Sequence, residues 1–126
     1  MPRPARWLRL LLLMFCINGP LLAETLHEDI RALFPKATRI DPRQDNPPVY
    51  PVYQLDQLLG YAFESNDYSS LLGFSGKPIR LLIGLDTYGT LSGIRILEHH
   101  EPVFLHGLGE PALQRFIDQY RQTSIT

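Results

Sequence analysis

Three of the chain's four histidines and three of its glutamates fall within thirteen residues. They form the run Glu98-His99-His100-Glu101-Pro102, followed by His106-Gly107-Leu108-Gly109-Glu110. Imidazoles and carboxylates at this density point either to metal ligation or to hydrogen bonding and proton handling around a bound group. The metal reading needs two or three imidazoles converging with a carboxylate. His99 and His100 are adjacent, so in an extended chain they point to opposite faces and only one can join His106. No cysteine ligand and no helical His-x3-His spacing supports them, so no metal ligand is assigned.

The second reading is an anion or flavin site. The Gly107-Leu108-Gly109 turn lets backbone amides approach an anion closely, and Ser75-Gly76-Lys77 offers a hydroxyl, a turn and an ammonium. Ser75-Gly76-Lys77 is not a nucleotide-binding P-loop: the earlier glycine is missing, and Pro78 stands where that motif needs Ser or Thr. Read by itself, Lys77 is a solvated turn residue. The whole histidine–glutamate run can equally be a polar loop with capping roles, since Glu110-Pro111 suits the first turn of a helix. No Ser–His–Asp arrangement is identifiable, so no catalytic residue is assigned. The aromatic residues Tyr50, Tyr53, Tyr61, Phe63, Tyr68, Phe74 and Tyr88 are expected mainly in the core.

The elements that must position these residues are legible from spacing. Leu26, Ile30, Leu33 and Phe34 recur at helical intervals, Thr25 and Glu28 form a capping-box pattern, and Pro35 ends the segment, so residues 24–34 are expected to be helical. Four prolines in residues 41–51 make an extended connector. Strands are expected at Tyr50–Gln54 (an edge strand because of Pro51), Leu58–Glu64, Ile79–Asp86 and Leu91–Glu98. A helical turn is expected around residues 67–72. Asp86–Thr90 reads as the turn of an antiparallel hairpin, with Gly89 at a positive φ. In the last strand Ile94, Ile96 and Glu98 share one face, Arg95 and Leu97 the other. Leu113, Phe116, Ile117 and Tyr120 mark a helix over residues 110–122. Helix–strands–helix order predicts an α+β fold, an antiparallel sheet flanked by N- and C-terminal helices, both packed on one face.

The chain's start has a different character. Arg3, Arg6 and Arg9 precede an unbroken apolar run, Leu10–Ile17, and Asn18-Gly19-Pro20 breaks it before Leu21-Leu22-Ala23. That is the layout of a secretory signal peptide, expected to be cleaved after Ala23, with an uncleaved membrane anchor as the alternative. Removing residues 1–23 takes three arginines and the only cysteine, leaving 9 basic against 13 acidic residues and a net charge near −4. An exported domain of residues 24–126 would then have no disulfide, no thiolate ligand and no iron–sulfur cluster. Its charge and its two lysines give no footprint for nucleic acid. At 126 residues, 44% apolar and 20% charged, the chain is one ordinary globular domain.

Several segments together resemble the periplasmic FMN-binding domain of the NosR/NirI family. They are Gly60-Tyr61-Ala62-Phe63-Glu64, Phe74-Ser75-Gly76-Lys77-Pro78, Ile83-Gly84-Leu85-Asp86 and Leu97–Pro102, with Leu33-Phe34-Pro35 and Pro47–Tyr53 upstream. The order is kept across nearly all of residues 24–126. The His99–Pro102 and Gly107–Gly109 segments also resemble the flavin-binding segment of the FMN-bearing subunits of Rnf and sodium-pumping NADH:quinone reductase complexes. The resemblance implies an FMN-binding-domain-like fold. It also implies a flavin pocket lined by His99, His100, Glu101, Gly107, Leu108 and Gly109, together with Ser75, Gly76 and Lys77. The implied role is a periplasmic, non-enzymatic electron-transfer or regulatory module. Its partners would be a membrane iron–sulfur protein or the nitrous oxide reductase system. The family joins FMN through its phosphate to a threonine in a Ser-Gly-Ala-Thr motif beyond the last helix. Gln122–Thr126 has no such motif, so attachment is not carried over to Thr123 or Thr126, and the domain is expected to be incomplete at its C-terminus. Two alternatives stand beside this reading: a flavin-free interaction or sensing domain on the same scaffold, and a small His/Glu metal-binding periplasmic protein.

Overall fold

The computed structural model describes residues 20–70 and 72–125. The expected leader lies outside the described residues up to residue 19. Its expected boundary after Ala23 falls inside the first helix, α1 (Pro20–Leu33), which opens on a proline at a first-turn position, where no backbone N–H is needed. Thr25 is therefore within α1 rather than capping it. Phe34 N still donates to Ile30 O, and the chain leaves the helix at Pro35 as expected.

Among the described residues five antiparallel strands follow in sequence order: β1 (Arg39–Ile40), β2 (Tyr50–Gln54), β3 (Gln57–Glu64), β4 (Arg80–Asp86) and β5 (Leu91–Glu98). The fold is α+β, an antiparallel meander with helices at both ends of the chain. β2 is not an edge strand. The two-residue β1, unseen in the sequence, pairs with Val52 and Tyr53. Pro51 falls where β1 has ended: Asp41 N donates to Pro51 O, and proline cannot return the bond that would continue the ladder. The β4–β5 turn is as expected, with Gly89 at φ 80° and Asp86 Oδ1 accepting from Tyr88 N (2.8 Å) and Thr90 N (2.9 Å). The single turn after β3 is a 3₁₀ turn at Ser65–Asp67, earlier than expected.

Adjacent residues of a strand point to opposite faces, and this separates two packing layers. On one face Val52, Ala62 and Leu82 meet Ile30, Leu33 and Phe34 and form the buried core. Gly84 and Gly93 are partners across β4 and β5, and their missing side chains make the notch that seats α1. A Cβ on Gly93 would stand 3.0 Å from Leu33 Cδ2, and one on Gly84 would stand 3.0 Å from Phe34 Cε2 and 3.2 Å from Leu33 Cβ.

The other face carries Leu81, Ile94 and Ile96, and over it lie α2 (Pro102–His106) and α3 (Glu110–Asp118). The terminal helices thus cover opposite faces, not one. The signal was in β4, where Leu81, Leu82 and Ile83 are apolar without alternation, the pattern of a strand covered on both sides.

The last helix is shorter than expected. It stops at Asp118, Gln122 takes φ 63°, and the chain doubles back onto β5. There Leu91 N donates to Thr123 O and Gln122 N to Leu91 O. The expectation of core aromatics fails at three positions: Tyr68 is 53% exposed, and Phe74 and Tyr88 are 97% and 88% exposed. Phe74 and Tyr88 sit on turns, and Tyr68 follows the 3₁₀ turn.

Candidate functional site

α3 meets the sheet face through Leu113 and Ile117, both buried, and does not fill all the space above it. A cleft of about 380 Å³ lies between them, floored by Leu81, Ile94 and Ile96 and walled by Leu113, Phe116 and Ile117. Phe104, His99 and Glu101 line it too, as do Ile79 and Tyr120. The cleft is open to solvent, with Phe116 54% exposed. The sequence marks the wall by the helical spacing of Leu113, Phe116 and Ile117, and the floor by the strand alternation of Ile94 and Ile96. Leu113 and Ile117 are buried at 8% exposure, and the same residues border the cleft.

His99 and Glu101 come together here because β5 ends at Glu98 and the chain turns into α2. The His99 side chain is 5% exposed, and both of its nitrogens are engaged. Glu101 N donates to Nδ1 at 3.2 Å, which leaves Nε2 to carry the proton and donate to Glu110 Oε1 at 2.6 Å. That bond ties the first turn of α3 to the end of β5.

Glu101 spans the gap to the preceding loop. Its Oε2 accepts from Phe74 N at 3.1 Å and its Oε1 from the Ser75 hydroxyl at 3.4 Å. This clamp joins Ser75-Gly76-Lys77 to the His99–Glu101 segment, two stretches more than twenty residues apart in sequence. Gly73 enables it: a Cβ there would overlap the Glu101 carboxylate. Gly73 is the residue that sequence reasoning missed, and nothing local to it carried a signal.

His100 diverges from His99 and bonds Glu98 Oε1 at 3.2 Å. Glu98 also pairs with Arg80 (3.3 Å), which in turn pairs with Glu64 (3.1 Å). The His100 hydrogen bond, and after it the Arg80 guanidinium, hold the Glu98 carboxyl below its ordinary range. His106 ends α2 and is not brought to His99 or His100 by any hydrogen bond. Among the described residues no group of three or more His, Cys, Asp or Glu side chains is placed to hold a metal ion.

The glycine-turn amides are largely spoken for. Gly107 N and Leu108 N both donate to Val103 O, closing α2, while Gly109 at φ 80° precedes α3. Gly76 N donates to Gly73 O and Lys77 N to the Ser75 hydroxyl. The structure therefore places Gly107, Leu108 and Gly109 in the α2–α3 turn beside the cleft and Gly76 and Lys77 on the clamped loop. Only His99 and Glu101 of the expected residues line the cleft itself. Among the described residues no helix is long and apolar enough to cross a membrane.

No protein-family model matches the chain. Curated relatives do. Over 115 residues, 88% of the chain, it is 36% identical to the regulatory protein NosR of Pseudomonas aeruginosa. A 65-residue stretch, 52% of the chain, is 42% identical to the regulatory protein NosR of Stutzerimonas stutzeri. With the protein NirI of Paracoccus denitrificans it shares 25% identity over 87 residues, 69% of the chain. These relatives are far longer: the matched region is 16% of the P. aeruginosa protein, 9% of the S. stutzeri protein and 13% of NirI. By sequence the chain belongs to the NosR/NirI family, as the counterpart of one segment of those longer proteins.

Proposed function

We propose that this chain is a periplasmic flavin-binding module of NosR type, holding FMN non-covalently in the cleft between α3 and β4–β5. The observation that carries the reading is the cleft itself. A helix and a sheet that leave about 380 Å³ of apolar-walled space between them offer an open apolar slot, a form of site that can take the apolar part of a ring. The slot is bordered by the His99–Glu101 segment, one of the several segments that carry the resemblance to flavin domains.

The residues present fit the group in part. Ring-shaped apolar contact is available from Ile94, Ile96 and Phe116. For a phosphate, Gly76, Lys77, Gly107 and Leu108 offer no spare amide, since all four are bonded within the chain. The Lys77 ammonium, on the loop clamped by Glu101, is the group that would meet the phosphate. Bound FMN would supply one- and two-electron chemistry that no side chain here possesses. The chain's own part is to hold the ring, exclude water from one side of it and fix the loop that bears Lys77. A regulatory or electron-transfer role towards a membrane iron–sulfur protein or the nitrous oxide reductase system is the role this reading proposes.

The test is an absorption spectrum of the chain exported to the periplasm of a flavin-competent host, before and after acid precipitation. A flavin band that passes to the supernatant is expected. A colourless protein that melts cooperatively and takes up no FMN on titration overturns the reading, and favours the flavin-free interaction domain.

A further inference from the structure

We infer that the cleft receives the dimethylbenzene end of the flavin ring and leaves the pyrimidine end outside; the inference rests on the flavin reading above. The argument is a count of free polar groups. An isoalloxazine has a polar end, with two carbonyls, an N–H and ring nitrogens, and an apolar end with two methyl groups. Burying the polar end requires partners, because each buried donor or acceptor left unmade costs on the order of 1–3 kcal/mol.

The cleft has almost none to give. Both His99 nitrogens are engaged, by Glu110 and by the Glu101 amide. Each Glu101 carboxylate oxygen already accepts a bond, from Phe74 N and from Ser75, and a carboxylate has no proton to give a ring carbonyl. The remaining lining is aliphatic or aromatic apart from the Tyr120 hydroxyl, on a residue 43% exposed. Turning the pyrimidine inward would break the clamp between residues 73–77 and 101 or strand the ring's carbonyls. Turning the benzenoid end inward costs no hydrogen bond and buries two methyl groups against Ile94 and Ile96. The orientation also leaves the ring's polar end at the mouth, where water or a further chain can reach it.

The experiment uses the unaltered protein and two FMN analogues. One lacks the 7- and 8-methyl groups. The other carries chlorine in place of the 8-methyl, so that an added aryl thiolate displaces chloride wherever position 8 is accessible. The demethylated analogue is expected to bind about tenfold more weakly than FMN, the contribution of two buried methyl groups. The bound 8-chloro analogue is expected to react with thiolate at least about tenfold more slowly than the free one. Equal affinities, or a bound 8-chloro flavin that reacts as fast as the free one, overturn the orientation and leave the flavin reading standing. Failure of all three flavins to bind a protein that still melts cooperatively removes the flavin reading, and the orientation with it.

Discussion

The Glu101 carboxylate occupies the space that a side chain on residue 73 would need. A glycine in the loop before β4 and a glutamate after β5 thus form one interlocking unit. Gly73→Ala is expected to expel the carboxylate, break its bonds to Phe74 N and Ser75, and cost about 1–3 kcal/mol. Gly76 is the control. It has φ 77°, and a Cβ there would meet nothing within 4 Å, so Gly76→Ala meets backbone strain alone, on the order of 1 kcal/mol. Urea denaturation of both variants checks the order, and FMN titration should show the larger loss in Gly73→Ala.

The glycine pair under α1 gives a second test. Leu33 Cδ2 fills the space above Gly93, so Gly93→Ala overpacks the core and should cost about 1–3 kcal/mol. Trimming the intruder should return part of that. In the double variant Gly93→Ala/Leu33→Ala the two losses are expected to sum to less than their separate values, by at least about 0.5 kcal/mol. Additive losses in a double-mutant cycle would show that Leu33 and residue 93 do not share the notch.

Much of the fold was legible because it rests on local patterns. Leu26, Ile30 and Leu33 needed only the helical period, and Asp86–Gly89 only turn chemistry. The placement of the terminal helices on opposite faces was also written in β4, in the unalternating Leu81-Leu82-Ile83, although an antiparallel hairpin invites the one-sided reading. What could not be read locally is what residues distant in sequence do to one another. The end of the last helix is set by pairing of Gln122 and Thr123 with Leu91. The site was half legible. The histidine–glutamate run marked the right loop, but which nitrogen of His99 is spent on which partner depends on where α3 lies.

The His99–Glu110 bond is expected to anchor α3 rather than to serve the ligand directly. Glu110→Ala removes the acceptor for a buried Nε2–H and should cost about 1–3 kcal/mol. Glu110→Gln keeps a carbonyl oxygen in reach of the same proton and should restore most of it. Amide hydrogen exchange localises the effect: protection in residues 110–118 should fall in the alanine variant and recover in the glutamine one. Equal loss in both would mean that charge, not the hydrogen bond, holds the helix.

Acid should act through Glu98. Its carboxyl is held below the ordinary value of 4.5 by the His100 hydrogen bond and by Arg80. A carboxylate with a lowered folded-state pKa binds fewer protons folded than unfolded, so it stabilises the fold above the ordinary range. That contribution is lost as pH falls through the folded-state pKa. Glu98→Gln should therefore lower the urea midpoint at pH 7, and the gap to the unsubstituted protein should close as the solution is taken below pH 4. A gap that is constant with pH would assign the effect of the substitution to packing. The contribution is expected to weaken with salt, because the residue is exposed.

Ser92 makes the opposite kind of prediction. It is the extra residue where the β4–β5 register slips beside Gly84, and its Oγ is buried with no hydrogen-bond partner among the described residues. A hydroxyl withdrawn from water without a partner lowers stability on the order of 1–3 kcal/mol relative to one that is paired. Its neighbours explain the geometry: a Cβ on Gly84 would run into this same oxygen, so the absent side chain at 84 is what accommodates the hydroxyl. Ser92→Ala removes the oxygen, frees that space and breaks no bond. It is expected to raise the denaturation midpoint by a gain of up to about 1 kcal/mol, and to make Gly84→Ala less damaging than it is with serine in place. A Ser92→Ala variant that is less stable than the parent would mean that the hydroxyl has a partner in solution, and a bound water in the adjacent cleft of Leu33, Asp86 and Arg121 would be the group to look for.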